Sequence, residues 1–150
     1  MKTCSFFGHR YLYDNIDEKL IEHIEYAINI LEVTVFYVGG YGNFDSKVTS
    51  VMIDIRKKYP HIKLYLALAY LPLEKDNIAL SKWYDGTIYF EGLEFAVKRF
   101  AIDKRNTLMV DNSDVIICYI TRDHGGAYKA VAHAKRLQKT IYNCIANQKF

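Results

Sequence analysis

Val115-Ile116-Ile117-Cys118-Tyr119-Ile120, then Thr121-Arg122-Asp123-His124-Gly125-Gly126, then Ala127, Ala130, Val131, Ala134 and Leu137 read as a strand, a turn and a helix. The opening run is continuously apolar and of strand length, and the next stretch is polar and glycine-bearing. The last residues fall on one narrow helical face, whose small side chains permit close approach to a sheet. This is one βα unit.

The same unit recurs outward in both directions. Upstream, Thr3 to Phe7 is a short strand followed by Ile16, Leu20, Ile24, Ala27, Ile28 and Leu31 at helical spacing. Thr34 to Val38 is β-branched and aromatic, Gly39-Gly40-Tyr41-Gly42 breaks it, and Val48, Val51, Met52 and Ile55 mark a second helix, with Tyr59-Pro60 as its stop. Ile62 to Tyr70 is apolar apart from Lys63 and suits a strand buried on both faces, ended by Leu71-Pro72. Asn77 to Trp83 fits neither period, Thr87 to Phe90 reads as a fourth strand, and Leu93 to about Val110 is helical in composition. Downstream, Lys139-Thr140 precede a last strand, Ile141 to Ile145, and a short polar tail. Strands alternating with helices predict a Rossmann-like three-layer αβα fold with a mostly parallel sheet and right-handed crossovers. Residues 1–150 read as a single α/β domain, without linker, internal repeat or low-complexity segment.

Composition is ordinary for a globular chain, with 51% hydrophobic and 25% charged residues. The formal charge of +3 permits an anionic ligand, but lacks the concentrated Lys and Arg of nucleic-acid proteins, so nucleic acid is disfavoured as a partner. Met1 to Arg10 lacks the apolar core of a signal peptide, and no apolar run approaches membrane-spanning length, so a cytoplasmic location with no membrane partner is expected. Cys4, Cys118 and Cys144 share no metal-like spacing and read as buried free thiols in strands. The five His residues lack the i,i+4 pairing and nearby carboxylates of a metal site, so neither metal nor other cofactor is expected, and His23 and His133 read as helix-surface residues. The charged stretches Asp54 to Lys58 and Lys135-Arg136 read as solvated helix faces.

Ligands of open α/β sheets bind outside the carboxyl ends of the strands. Three glycine-bearing turns fall there: Gly8-His9-Arg10, Gly39-Gly40-Tyr41-Gly42 and His124-Gly125-Gly126. Each alone reads as a tight βα turn, but together at one sheet edge they predict a phosphate-binding crevice, because glycine admits a ligand to the backbone and the next helix offers free N–H groups. Arg10 and His9 are candidates to clamp a phosphate, against a solvated turn. Asp45 reads as an N-cap of the second helix, with a ribose-hydroxyl acceptor as the sharper alternative. Gly-x-Ser-x-Gly, P-loop and Gly-x-Gly-x-x-Gly signatures are missing from the places that would give them meaning, which disfavours serine hydrolases, NTPases and ordinary NAD-dependent dehydrogenases.

Arg105-Asn106-Thr107-Leu108-Met109, Ser113-Asp114-Val115-Ile116-Ile117 and Gly125-Gly126 together resemble the SLOG superfamily, which includes the LOG phosphoribohydrolases and the Smf/DprA proteins. Phe7-Gly8-His9-Arg10 and Gly39-Gly40-Tyr41-Gly42 resemble its YpsA-like branch. The resemblance spans most of the chain and implies a nucleotide or derivative held by the glycine turns. In LOG enzymes an Arg before the strand and a Glu closing Pro-Gly-Gly-x-Gly-Thr-x-x-Glu serve the cleavage of a glycosidic bond. Arg105 matches the Arg, but His124 replaces Pro, Tyr128 and Lys129 replace Gly-Thr, and Val131 and Ala132 stand at the acidic positions. The LOG-type catalytic carboxylate is therefore missing, and the phosphate-binding half of the motif survives better.

These readings predict a binding or sensing domain for a nucleotide-derived small molecule, with Gly8, His9, Arg10, Gly39, Gly40, Tyr41, Gly42, Asp45, Arg105, Asn106, Gly125 and Gly126 at the ligand. One alternative is a nucleoside- or nucleotide-processing hydrolase or transferase, with Asp45 or Asp114 supplying the carboxylate. The other, by analogy with DprA, is a single-strand nucleic-acid binder using Tyr128-Lys129. Relatives associate, and 21 Tyr and Phe could leave aromatic surface exposed, so a homodimer is a candidate assembly. Arg105→Ala is expected to weaken a phosphorylated ligand about ten- to hundred-fold with little change in stability.

Overall fold

The computed structural model describes residues 1–71 and 83–145. Strands β1 (Lys2–Gly8), β2 (Val33–Val38), β3 (Lys63–Ala67), β4 (Gly86–Ile88), β5 (Val115–Tyr119) and β6 (Thr140–Asn143) form one sheet in the order β4-β3-β2-β1-β5-β6. Every pairing is parallel. Helices α1 (Asp17–Asn29), α2 (Gly42–Lys58), α3 (Ala101–Asp111) and α4 (Gly126–Arg136) cover it.

The strand period of two sorts the core into two layers. Phe6, Phe36, Val38, Leu64, Leu66 and Ile117 face α1 and α2, where Leu20, Ile24, Val48 and Met52 meet them. Phe7, Val35, Tyr37, Ile116 and Cys118 face α3 and α4, where Met109, Val110, Ala130, Val131 and Ala134 meet them. A fully buried Leu, Ile or Phe contributes roughly 1.5–3 kcal/mol, so both layers are needed to hold the sheet. The fold is the α/β Rossmann-like arrangement read from the alternation of strands and helices.

Several boundaries differ from the sequence reading. The third strand ends at Ala67 rather than Tyr70, although the Leu68 N–H still donates to the Ile88 carbonyl at 2.8 Å. The helical stretch from Leu93 is divided into two 3-10 turns, Leu93–Phe95 and Lys98–Phe100, before α3 begins. Ala96 and Val97, both extended, interrupt the helical path there. All three cysteines are buried free thiols, but Cys144 lies just beyond β6. Burial pushes the Cys144 thiol up to about 12, which keeps it protonated. Most of the Asn77 to Trp83 stretch and of the polar tail lies outside the described residues.

Candidate functional site

From β1 the chain steps outward through β2, β3 and β4, then crosses back to the other side of β1 for β5 and β6. β1 and β5 therefore feed helices on opposite faces, and such a switch point opens a crevice at the strand carboxyl ends. A crevice of about 330 Å³ lies there. Gly8 and Arg10 line it after β1, Gly39, Tyr41, Gly42 and Asp45 after β2, Arg105 and Asn106 from α3, and Gly126 from α4. The structure thus brings most of the expected site residues together.

His9, Gly40 and Gly125 are not among the lining residues. His9 is turned into the protein, 4% exposed, and its Nε2 accepts the Thr121 N–H at 3.0 Å. Burial, helped by the Arg122 and His124 charges, lowers its pKa from 6.5 to about 4. A neutral ring with its proton on Nδ1 follows, which fits a pin between the β1 and β5 turns rather than a phosphate clamp. Asp114 is excluded from the crevice by direction. It sits before β5, where its carboxylate accepts the Thr3 N–H at 3.0 Å, at the amino ends of the strands.

The glycines also serve the protein itself. A Cβ on Gly8 would run into the buried Phe44 ring, and one on Gly39 would meet the Arg105 guanidinium at 2.7 Å. Gly42 opens α2 with φ +85°, and a side chain there would lie 2.8 Å from the Arg10 Cα. This close approach lets the Asn43 N–H donate to the Arg10 carbonyl at 2.7 Å, locking the turns after β1 and β2 together. Gly126 is different, since nothing comes nearer than 3.7 Å to the place its Cβ would take. It opens α4, whose first-turn N–H groups have no side-chain cap, beside the crevice.

Arg105 is 4% exposed. Its Nη1 donates to the Gly39 carbonyl at 3.0 Å and the Ala67 carbonyl at 3.4 Å. Nε and Nη2 donate to Asn106 Oδ1 at 3.2 and 2.8 Å. Its Cζ lies 5.2 Å from the centre of the Tyr41 ring. Arg105 therefore ties the ends of β2 and β3 to α3 as well as lining the crevice. The expectation that it can be removed without loss of stability does not fit these contacts.

Asp45 is not the N-cap of α2. Tyr41 holds that position, and Asp45 reaches back from the first turn to accept the Tyr41 N–H at 3.0 Å. Burial raises its pKa from 3.8 to about 7, against the opposing pull of the Tyr41 and Gly40 N–H groups and the Arg105 charge. A buried carboxyl poised near neutrality in a cleft is the kind of group that acts on or senses a ligand.

Ile102 and Met109 also line the crevice, and the polar residues gave no hint of them. With Arg105 and Asn106 they follow i, i+3, i+4, i+7 spacing, so a helical reading of that face could have found them. Elsewhere, His133 Nε2 pairs with Asp111 at 2.8 Å. His23 is half-buried and stacks on Tyr142 at 5.3 Å between ring centres, so it is not an ordinary surface residue. Among the described residues no group of His, Cys, Asp and Glu is arranged to hold a metal, and no helix is long and apolar enough to cross a membrane.

No protein-family profile matches the chain, and no curated protein sequence is similar to it. Solved structures are. DNA processing protein A (DprA) from Streptococcus pneumoniae matches with a TM-score of 0.67 and 13% identity, over 95% of this chain and 50% of that one. DprA from Helicobacter pylori, described for its single-stranded DNA binding mode, matches with a TM-score of 0.64 and 16% identity, over 99% and 68%. TM1055, a structural genomics target, matches with a TM-score of 0.57 and 15% identity, over 94% and 72%. The chain spans half the length of the first of these. At such identities the likeness is one of fold: the chain shares the Rossmann-like architecture of the DprA structures.

Proposed function

We propose that the chain is a binding domain for a phosphorylated, nucleotide-derived small molecule held in the crevice between β1, β2 and β5. The observation that carries this reading is the convergence of Arg10, the uncapped start of α4 and Asp45 on one cavity at the switch point. An N-terminal helix turn and a guanidinium are suited to a phosphate, and a volume of about 330 Å³ lies within the ordinary range of small-molecule sites. Calorimetric titration with ribonucleoside mono- and diphosphates and ADP-ribose tests it. Binding of at least one is expected, and silence from the whole panel with folded protein refutes it.

The fold likeness to DprA favours a second reading, binding of single-stranded nucleic acid. Exposed Tyr11 and Tyr13, with ring centres 6.3 Å apart, and the Arg10 guanidinium 6.0 Å from the Tyr11 ring would supply stacking and charge for it. A phosphate-dominated mode of this kind must weaken steeply with salt. The enzyme reading narrows to Asp45, since Asp114 faces the other end of the sheet. Placement in the YpsA-like branch, a single domain over residues 1–150, a homodimer and a cytoplasmic location belong to the same proposal.

A further inference from the structure

We propose that Asp45 makes the crevice selective for ribonucleotides, by accepting hydrogen bonds from the sugar's free hydroxyls. The inference rests on the nucleotide-binding reading above and names the class of nucleotide.

The lining of the crevice is unbalanced in its polar groups. Arg10 and Arg105 offer only N–H donors, and the Asn106 oxygen already accepts two bonds from Arg105. The Gly39 carbonyl likewise accepts from Arg105. Asp45 is the one acidic side chain among the described lining residues. A carboxylate has room for about four hydrogen bonds, and the Tyr41 and Gly40 N–H groups account for two at Asp45. The rest of that capacity belongs to a carboxylate that lines the crevice beside Arg10 and Arg105, whose side chains only donate. A ligand that satisfies this arrangement needs acceptors at one end and hydroxyl donors at the other, which describes a phosphate joined to a ribose. A deoxy sugar would leave the buried carboxylate short of partners, and a site built to bond a hydroxyl rejects the analogue that lacks it.

The sugar contact also has a pH signature. Among the described residues, Asp45 meets Tyr41 on its own turn and Arg105 from α3, with Arg10 on the same cavity and Tyr84 on a second cavity that Asp45 also lines. Burial lowers the Arg105 pKa, and the Asp45 charge opposes that lowering. Burial raises the Asp45 pKa to about 7, so the carboxyl gains a proton as pH falls through neutrality and loses acceptor capacity. Selectivity should therefore fade on acidification. The ligand phosphate titrates in the same range, but identically in ribo and deoxy forms. The ratio of their affinities isolates Asp45.

The experiment is calorimetric titration of the wild-type chain with the four ribonucleoside 5′-monophosphates and their 2′-deoxy and 2′,3′-dideoxy counterparts, at pH 8 and pH 5.5. The expected result is about ten-fold or greater preference for a ribonucleotide at pH 8, weakest binding by the dideoxy form, and a smaller ratio at pH 5.5. Asp45→Asn keeps an oxygen for the Tyr41 N–H and should reduce the ratio while phosphate-driven binding persists. A merely structural Asp45 would lower all affinities together and leave the ratio alone, which overturns the inference. Equal binding of ribo and deoxy forms by wild type overturns it too, while leaving the nucleotide reading intact. Failure of every nucleotide to bind removes that reading and the inference with it.

Discussion

The α3 wall of the crevice and the turn after β1 each bring one arginine to the same cavity, under opposite conditions. Arg105 is buried, and its guanidinium is committed to the Gly39 and Ala67 carbonyls and to Asn106. Arg10 is exposed, with its guanidinium 6.0 Å from the centre of the Tyr11 ring. A buried charge must be met by protein acceptors, so it organises the strand ends; an exposed one keeps its donors for whatever arrives. On the proposed reading, one builds the site and the other is left to use it.

Removing Arg105 should have the largest effect. Arg105→Ala strands two carbonyls and leaves Asp45 without its nearby positive charge, with an expected loss of about 3–5 kcal/mol in urea denaturation. A loss below about 1 kcal/mol, within the range of surface changes, would break the contrast.

Next comes the floor between the two regions. Gly8→Ala drives a methyl into the ring of Phe44, a fully buried residue of α2, and should cost about 1–3 kcal/mol. Nucleotide affinity measured on the folded fraction would show whether the shift in α2 reaches Asp45. Stability equal to wild type would mean that Phe44 gives way freely.

Arg10→Ala should leave stability within about 0.5 kcal/mol and weaken a phosphorylated ligand about ten-fold, read by calorimetry at low salt. The reverse pattern, lost stability with unchanged affinity, would exchange the roles of the two arginines.

The smallest effect is expected at the outer rim. Tyr13 is 83% exposed, and Tyr13→Ala should change neither stability nor nucleotide affinity measurably. If the same variant loses binding to single-stranded DNA in a fluorescence titration, the rim serves the second reading and the comparison extends beyond the crevice.

The alternation of strand and helix was legible in the chain because apolar period is local. Phe6 and Phe36 on one layer, Phe7 and Tyr37 on the other, follow from a spacing of two, and Leu20, Ile24 and Ala27 from a spacing near 3.6. The extended Ala96 and Val97 that divide the stretch before α3 were hidden, since the surrounding composition is helical throughout. The three glycine turns were also legible as turns, and the parallel sheet then assigns them to one edge. What each turn is for was not. Gly8 yields to Phe44 and Gly39 to Arg105, partners 36 and 66 residues away in the chain.

The residues with charge divide in the same way. Sequence alone placed Arg10 and Asp45 where turns and helix starts follow strands, because turn chemistry is written in neighbouring residues, whereas Arg105 was tied to the ligand only by the SLOG resemblance. Only the tertiary structure decided that His9 points inward to the Thr121 N–H, that Asp114 belongs to the opposite end of the sheet, and that Arg105 is a buried tie. The physical reason is that burial, hydrogen-bond partners and pKa are set by atoms from distant segments, such as Tyr41 and Arg105 around Asp45. Spacing along one strand or helix carries no information about which of those segments will meet.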